Sequence, residues 1–134
     1  PAVQGGPETI LLIEDDASVR ELTRHILENN GYTVLEAHSE DEALLLAEEH
    51  RKSIGLVITD VILPGKGGRA LAEEILLRIP GVRILYMSGY PANAIARHGV
   101  LEEGIHFIEK PFTPERLATK VREVLDMPRE APPL

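Results

Sequence analysis

The chain has no cysteine, no tryptophan, two Phe and three Tyr among its 134 residues. Without a thiol there is no disulfide framework, no thiolate zinc site and no cysteine nucleophile. Aromatics at 4% are too sparse for a base-stacking platform. Positive charge is in deficit: 14 Lys and Arg against 22 Asp and Glu give a net charge of -8, which argues against the basic face that nucleic acid requires. No apolar run approaches the ~18 residues of a membrane span. The N-terminus has neither the basic region nor the long apolar segment of a signal peptide. The expectation is therefore a cytoplasmic domain, with no nucleic acid partner and no membrane contact by this segment. What is present is ordinary, 43% hydrophobic and 27% charged, enough for one domain with its own core.

The chain is organised around Leu56-Val57-Ile58-Thr59-Asp60. Four uncharged residues run into one carboxylate, and Ile62, Leu63, Pro64 and Gly65 follow. An apolar run of this length ended by a turn signal predicts a strand buried on both faces. Three other runs end in chemistry. Ile10 to Ile13 leads to Glu14, Asp15 and Asp16; Ile84 to Met87 leads to Ser88; Ile105 onward leads to Lys110. In an open parallel sheet, ligands and reactive groups collect at the carboxyl ends of the strands. Four strands would thus deliver carboxylates, a hydroxyl and an ammonium to one edge.

The remainder alternates. Residues 1–8, with two Pro and two Gly, read as a linker. Strands are predicted over 9–14, 32–37, 56–60, 83–88 and 105–109. A helix from about Ala17 to Asn30 has Asp16 as its N-cap and Val19, Leu22, Ile26 and Leu27 on one face. Ser39 and Glu42 form an S-x-x-E capping box for a helix reaching about His50. A glycine-rich loop, 64–68, precedes a helix with Leu71, Ile75, Leu76 and Ile79 on one face. A short helix is predicted over 92–98. The last helix has Thr113 as cap, Pro114 at its first position and Leu117, Val121, Val124 and Leu125 as core. Residues 127–134 read as a disordered tail. Five strands alternating with five helices predict an α/β, doubly wound domain over 9–126 with a parallel sheet. Right-handed crossovers place helices on both faces.

Four of these segments together, LLIEDD, ITDVILPGKGG, YMSGY and FIEKPF, at four strand ends and in this order, resemble the receiver domain of two-component response regulators. The resemblance covers roughly residues 9–126. It implies the flavodoxin-like (βα)5 fold with strand order 2-1-3-4-5. The GPET lead-in and the EKPFTPERLATKVREVLD ending are most similar to the C-terminal receiver of a hybrid sensor histidine kinase. A stand-alone single-domain regulator is the alternative.

The resemblance assigns roles. Asp60 would be the phosphoacceptor, attacking the phosphohistidine of a histidine kinase or histidine phosphotransfer domain. Mg²⁺ would be held by Asp15, Asp60 and the backbone carbonyl of Ile62, with Glu14 acting through bound water. Glu14 stands where the family more often has Asp. Oxygen ligands with retained waters suit Mg²⁺, and the cation offsets the mutual repulsion of crowded carboxylates. Lys110 would pair with Asp60 and then with a phosphoryl oxygen; its bond to Pro111 is commonly cis in the family. Ser88 would hydrogen-bond the phosphoryl group after transfer. Ser88 and Phe107 would form the switch that reshapes the face of the 92–98 helix, the 105–109 strand and the C-terminal helix, although Phe lacks the hydroxyl of the commoner Tyr. Ile62 and Tyr90 occupy the positions that tune dephosphorylation. A homodimer through the last two helices is left open.

Two other functions compete. A Mg-dependent phosphatase with an Asp nucleophile usually carries a second Asp two residues on, where this chain has Ile62. A receiver-like interaction module that takes no phosphate would not need Asp60, Asp15 and Lys110 together. The implied chemistry is self-phosphorylation and autodephosphorylation, any kinase activity belonging to a parent chain. Five scattered His show no metal spacing, and Gly65-Lys66-Gly67-Gly68 lacks the pattern of a nucleotide phosphate loop.

Overall fold

A computed structural model describes residues 5–89 and 106–127. Five parallel strands, β1 (Thr9–Ile13), β2 (Thr33–Ala37), β3 (Ile54–Asp60), β4 (Arg83–Ser88) and β5 (His106–Glu109), form one sheet in the order β2-β1-β3-β4-β5. Four helices lie among the described residues: α1 (Ala17–Asn29), α2 (Glu40–Glu49), α3 (Gly68–Arg78) and α4 (Pro114–Leu125). This is the flavodoxin-like, doubly wound arrangement. The predicted helix over 92–98, its flanking glycines and Tyr90 lie outside the described residues, as do 128–134.

The sheet is apolar on both faces because its strands are. Ile10 and Leu12 of β1 join Leu56 and Ile58 of β3 in a core with Ile26 and Leu27 of α1 and Leu117, Val121, Val124 and Leu125 of α4. Their neighbours Leu11, Ile13 and Val57 face the other way, onto Ala43 and Ala47 of α2 and Leu71 and Ile75 of α3. The two-residue period of a strand sends alternate side chains to opposite faces. Each fully buried Leu or Ile contributes about 1.5–3 kcal/mol relative to exposure, so both helix layers are held strongly.

Helix starts follow local chemistry. The Asp16 carboxylate accepts the Ser18 and Val19 N–H groups, at 2.9 and 3.2 Å. Thr113 Oγ1 accepts the Arg116 N–H at 3.1 Å, with Pro114 in the first turn. The Ser39 box is half-formed: Ser39 Oγ accepts the Glu42 N–H at 3.3 Å, but Glu42 Oε1 takes the N–H of His38, at 2.8 Å, in place of that of Ser39.

Three sequence expectations are corrected. Leu22 is not on the buried face of α1; it is 57% exposed. Thr23 fills that place, fully buried, because its hydroxyl donates to the Val19 carbonyl one turn back at 2.7 Å and so costs little to bury. On α3, Leu76 is exposed and Ala72 is buried instead. β3 begins at Ile54, two residues early: Thr9 pairs with Ile54 while Ile10 pairs with Leu56, so Gly55 is an extra residue in the ladder.

Gly5, Gly6 and Glu8, within the stretch read as a linker, are bonded to the domain. Gly6 N–H donates to Asn30 O at 3.1 Å, and Thr33 N–H to Glu8 O at 3.1 Å. The Arg122 guanidinium of α4 meets the Glu8 carboxylate as a fork, at 3.1 and 2.7 Å, and donates to Gly5 O. The hydrogen bond from Arg122 holds the Glu8 carboxyl below its ordinary range despite partial burial. A carboxylate with a depressed folded-state pKa contributes stability above its unfolded value of ~4.3, and that contribution is lost as pH falls through the folded value. Wild-type Tm should therefore fall from pH 6 toward pH 3. Glu8→Gln should lower Tm at pH 6, by an amount equivalent to ~1 kcal/mol, and make the acid fall shallower. A scan with parallel curves for both proteins would contradict this.

Candidate functional site

The strand register gathers the reactive residues. Ile13 of β1 pairs with Thr59, Asp60 of β3 with Met87, and Ser88 of β4 with Glu109. Glu14, Asp60, Ser88 and Lys110 therefore stand at the carboxyl edge of four adjacent strands. The Lys110–Pro111 peptide is cis, and the Lys110 N–H donates to Ser88 O at 2.8 Å, which ties the two strand ends together.

Lys110 Nζ lies 2.5 Å from both Asp60 Oδ2 and Glu14 Oε1. Both carboxylates are buried, Glu14 at 1% exposure and Asp60 at 8%. Burial pulls the Lys110 ammonium down, but the bonds to Asp60 and Glu14 outweigh it and raise its pKa above the ordinary lysine value. Burial pushes the Glu14 carboxyl up, against the pull of Lys110. The ammonium thus stays charged and, among the described residues, is the cation bonded to both carboxylates.

The remaining oxygens are also engaged. Asp60 Oδ1 accepts the Ile62 N–H at 3.0 Å, and Glu14 Oε2 accepts the Asp16 N–H at 3.2 Å. Arg20 of α1 reaches back to the Glu14 carbonyl at 2.7 Å and fixes the β1–α1 turn. Asp15 is exposed at the mouth. One carboxylate oxygen from each of Glu14, Asp15 and Asp60 can be chosen so that all lie within 4.8 Å of one another. Three hard oxygen donors beside open solvent suit a small divalent cation that keeps its waters.

Ser88 is fully buried at the end of β4. Phe107 on β5 is half-buried, pairs with Tyr86 of β4 and packs against the small cluster of Val61, Ala72 and Tyr86. Two features escaped sequence reasoning. Glu14 is a direct partner of Lys110, 96 residues away. Glu40, on α2, is bound to the loop after Asp60. Neither leaves a local sequence signal.

A five-stranded parallel sheet with a buried Asp, a paired Lys and an acidic cluster at one edge defines a doubly wound α/β domain whose polar site lies at the carboxyl ends of its strands. Residues 10–122 match the model of the response regulator receiver domain, and the chain belongs to that family. Receiver domains bind Mg²⁺ at an acidic site and interact with histidine kinases or phosphotransfer domains. The sensor kinase CckA of Brucella abortus is 37% identical over 121 residues, which cover 90% of this chain and 13% of that protein. The aerobic respiration control protein ArcA of Escherichia coli strain K12 is 36% identical over 117 residues, 87% of this chain and 48% of that protein. The chain thus spans from about an eighth to about half of these curated relatives. The crystal structure of the receiver domain from the hybrid histidine kinase CckA superposes with a TM-score of 0.75 at 35% identity, covering 88% of this chain and 99% of that one. A receiver domain from Clostridium thermocellum superposes with a TM-score of 0.79 at 27% identity, covering 89% and 94%. No described helix is long and apolar enough to cross a membrane.

Proposed function

We propose that this receiver, residues 9–126, accepts a phosphoryl group on Asp60 from a phosphohistidine, as part of a hybrid sensor histidine kinase phosphorelay. The observation that carries the reading is the placement of Asp60: buried, paired with Lys110, and with a carboxylate oxygen within 4.8 Å of oxygens of Glu14 and Asp15. An Asp60 carboxylate oxygen forms the new O–P bond as the P–N bond to the donor imidazole breaks. Phosphoryl transfer passes through a loose transition state, so the protein contributes mainly position and charge neutralisation. Lys110 already touches the attacking carboxylate and would follow the charge onto a phosphoryl oxygen. Ser88, at the adjacent strand end, would donate its hydroxyl there. Phe107 would repack as Ser88 moves, since the two sit on the adjacent, paired strands β5 and β4.

The acidic cluster would hold Mg²⁺ through Asp15, Asp60 and the Ile62 carbonyl. Glu14 would act through bound water, as the more deeply buried of the two carboxylates that Lys110 bridges. Bound Mg²⁺ supplies positive charge that offsets the crowded carboxylates and the incoming phosphoryl oxygens. The hybrid-kinase origin rests on the similarity to the CckA receiver. The net charge of -8 fits protein partners better than nucleic acid.

Acetyl phosphate with Mg²⁺, read by intact mass, tests the reading. Wild type should gain one phosphoryl group; Asp60→Asn should gain none, and EDTA should abolish the gain. An adduct that persists in Asp60→Asn would move the acceptor elsewhere. No adduct in wild type, with Mg²⁺ binding demonstrated separately, would leave a phosphate-independent interaction module.

A further inference from the structure

The loop between β3 and α3 carries Pro64, Gly65, Lys66 and Gly67, and both Gly65 and Gly67 have positive φ, +96° and +92°. Such a segment has little side-chain packing of its own and much backbone freedom. Its amides nevertheless have a partner. Lys66 N–H donates to Glu40 Oε2 at 2.6 Å, and Gly67 N–H to the same oxygen at 3.3 Å. Glu40 is the first residue of α2, 26 residues earlier in the chain. Converging backbone N–H groups of this kind form an anion-holding concavity. The fit is close: a Cβ on Gly65 would stand 2.7 Å from Glu40 Oε2 and 2.9 Å from Glu40 Cδ. A second tie acts from the other side, where Lys66 Nζ meets Glu74 Oε2 of α3 at 2.7 Å.

We infer that Glu40 is a positioning residue: its carboxylate fills the amide concavity of the β3–α3 loop and so fixes the backbone that follows the phosphoacceptor. This rests on the receiver reading given above. The chain from Asp60 to Gly67 is bounded at its start by the Ile62 N–H bond to Asp60 Oδ1 and at its end by the Gly68 N–H bond to Val61 O at 2.8 Å. Between those points, the Glu40 bonds are backbone ties that reach the loop from α2, and they determine where the Ile62 carbonyl comes to lie. Glu40 is also favourable in the first turn of α2 through the helix dipole. A role limited to that dipole would affect helix stability and leave the loop alone.

The test uses Glu40→Ala and Glu40→Gln. The glutamine keeps an oxygen acceptor and loses the charge. Hydrogen exchange should speed up at the Lys66 and Gly67 amides in Glu40→Ala, while β3 core amides stay protected. Mg²⁺ affinity and the rate of phosphoryl uptake from acetyl phosphate should fall on the order of tenfold, as misplacement of a positioned group predicts, with Glu40→Gln recovering most of both. Unchanged exchange at Lys66 and Gly67 overturns the inference. Faster exchange with unchanged Mg²⁺ affinity and uptake overturns it as well. If wild type itself takes up no phosphoryl group, the receiver chemistry fails separately, and amide exchange with Mg²⁺ titration still decides the role of Glu40.

Discussion

Replacing Lys110 with methionine is expected to be the most damaging single change at the site for stability as well as for chemistry. The methionine keeps the aliphatic stem and removes the one ammonium that lies 2.5 Å from both Glu14 and Asp60. Removing one member of a buried ion pair leaves an uncompensated buried charge and costs about 3–5 kcal/mol. Here two carboxylates lose their cation at once. Against a total stability of ~5–15 kcal/mol for a domain this size, that is a large share. Part of the loss is relieved by protonation. Burial already pushes the Glu14 carboxyl up, and Lys110 pulls it back; without Lys110 it rises further. A carboxyl raised in the folded state binds its proton more tightly there than in the unfolded chain. Its contribution is full below the unfolded value and is lost as pH rises through the folded value. The deficit of Lys110→Met should therefore be greatest at pH 7–8 and shrink toward pH 4. Urea unfolding in EDTA across that range measures it. Saturating Mg²⁺ should recover more stability in the variant than in wild type, because a ligand of the folded state stabilises by mass action and here also replaces the missing charge. Equal stabilities at pH 7 in EDTA would mean that the two carboxylates never depended on Lys110. Phosphoryl uptake should be nearly abolished even where the variant is fully folded.

How much of this could be read from the sequence depends on distance along the chain. The strands ending in Glu14, Asp60, Ser88 and Lys110, and the caps at Asp16 and Thr113, are local patterns, and each was legible. The strand order followed from four segments resembling one family; periodicity alone gives only the alternation of strands and helices. What was not legible depends on contacts between distant residues. Leu22 and Thr23 compete for one position on α1, and apolar periodicity picks Leu22. The structure buries Thr23 because a hydroxyl bonded to its own helix carries little polar penalty. The Glu42 bond to His38, the Glu40 bond to the β3–α3 loop and the Arg122 fork on Glu8, 114 residues apart, have no periodic signature. Charged surface residues look alike in sequence, and only the packing of α2 and α4 distinguishes those that reach a partner.

Gly68→Ala is the second change with a large expected effect, and two opposing magnitudes decide it. Gly68 is the first residue of α3. In a helix, Ala is better than Gly by about 1 kcal/mol, so propensity alone predicts stabilisation. The surroundings oppose it. A Cβ at Gly68 would stand 2.0 Å from the Asp60 carbonyl oxygen, 3.0 Å from the Asp60 carbonyl carbon and 3.1 Å from Val61 Cα. All three are backbone atoms, so no side chain can rotate away. The helix start must retreat from the end of β3, which stretches the Gly68 N–H bond to Val61 O, or the Asp60 peptide must move. Overpacking of this kind costs about 1–3 kcal/mol and sometimes more, which exceeds the propensity gain. A net loss of ~1 kcal/mol is expected from these terms, more where the backbone clash takes the cost to the top of its range. The loss of function should be larger than the loss of stability, because the group displaced is the backbone of Asp60, the proposed phosphoacceptor. Gly55→Ala is the matched control: its Cβ would meet Glu8 Cβ and Leu125 Cδ2 at 3.7 Å, ordinary contacts, and should change Tm and uptake little. If Gly68→Ala matched the control in both urea midpoint and acetyl phosphate uptake, the close approach of α3 to β3 would not be what fixes Asp60. If it lowered stability alone, Asp60 would be held by Lys110 and the Ile62 amide, with the helix contributing only packing.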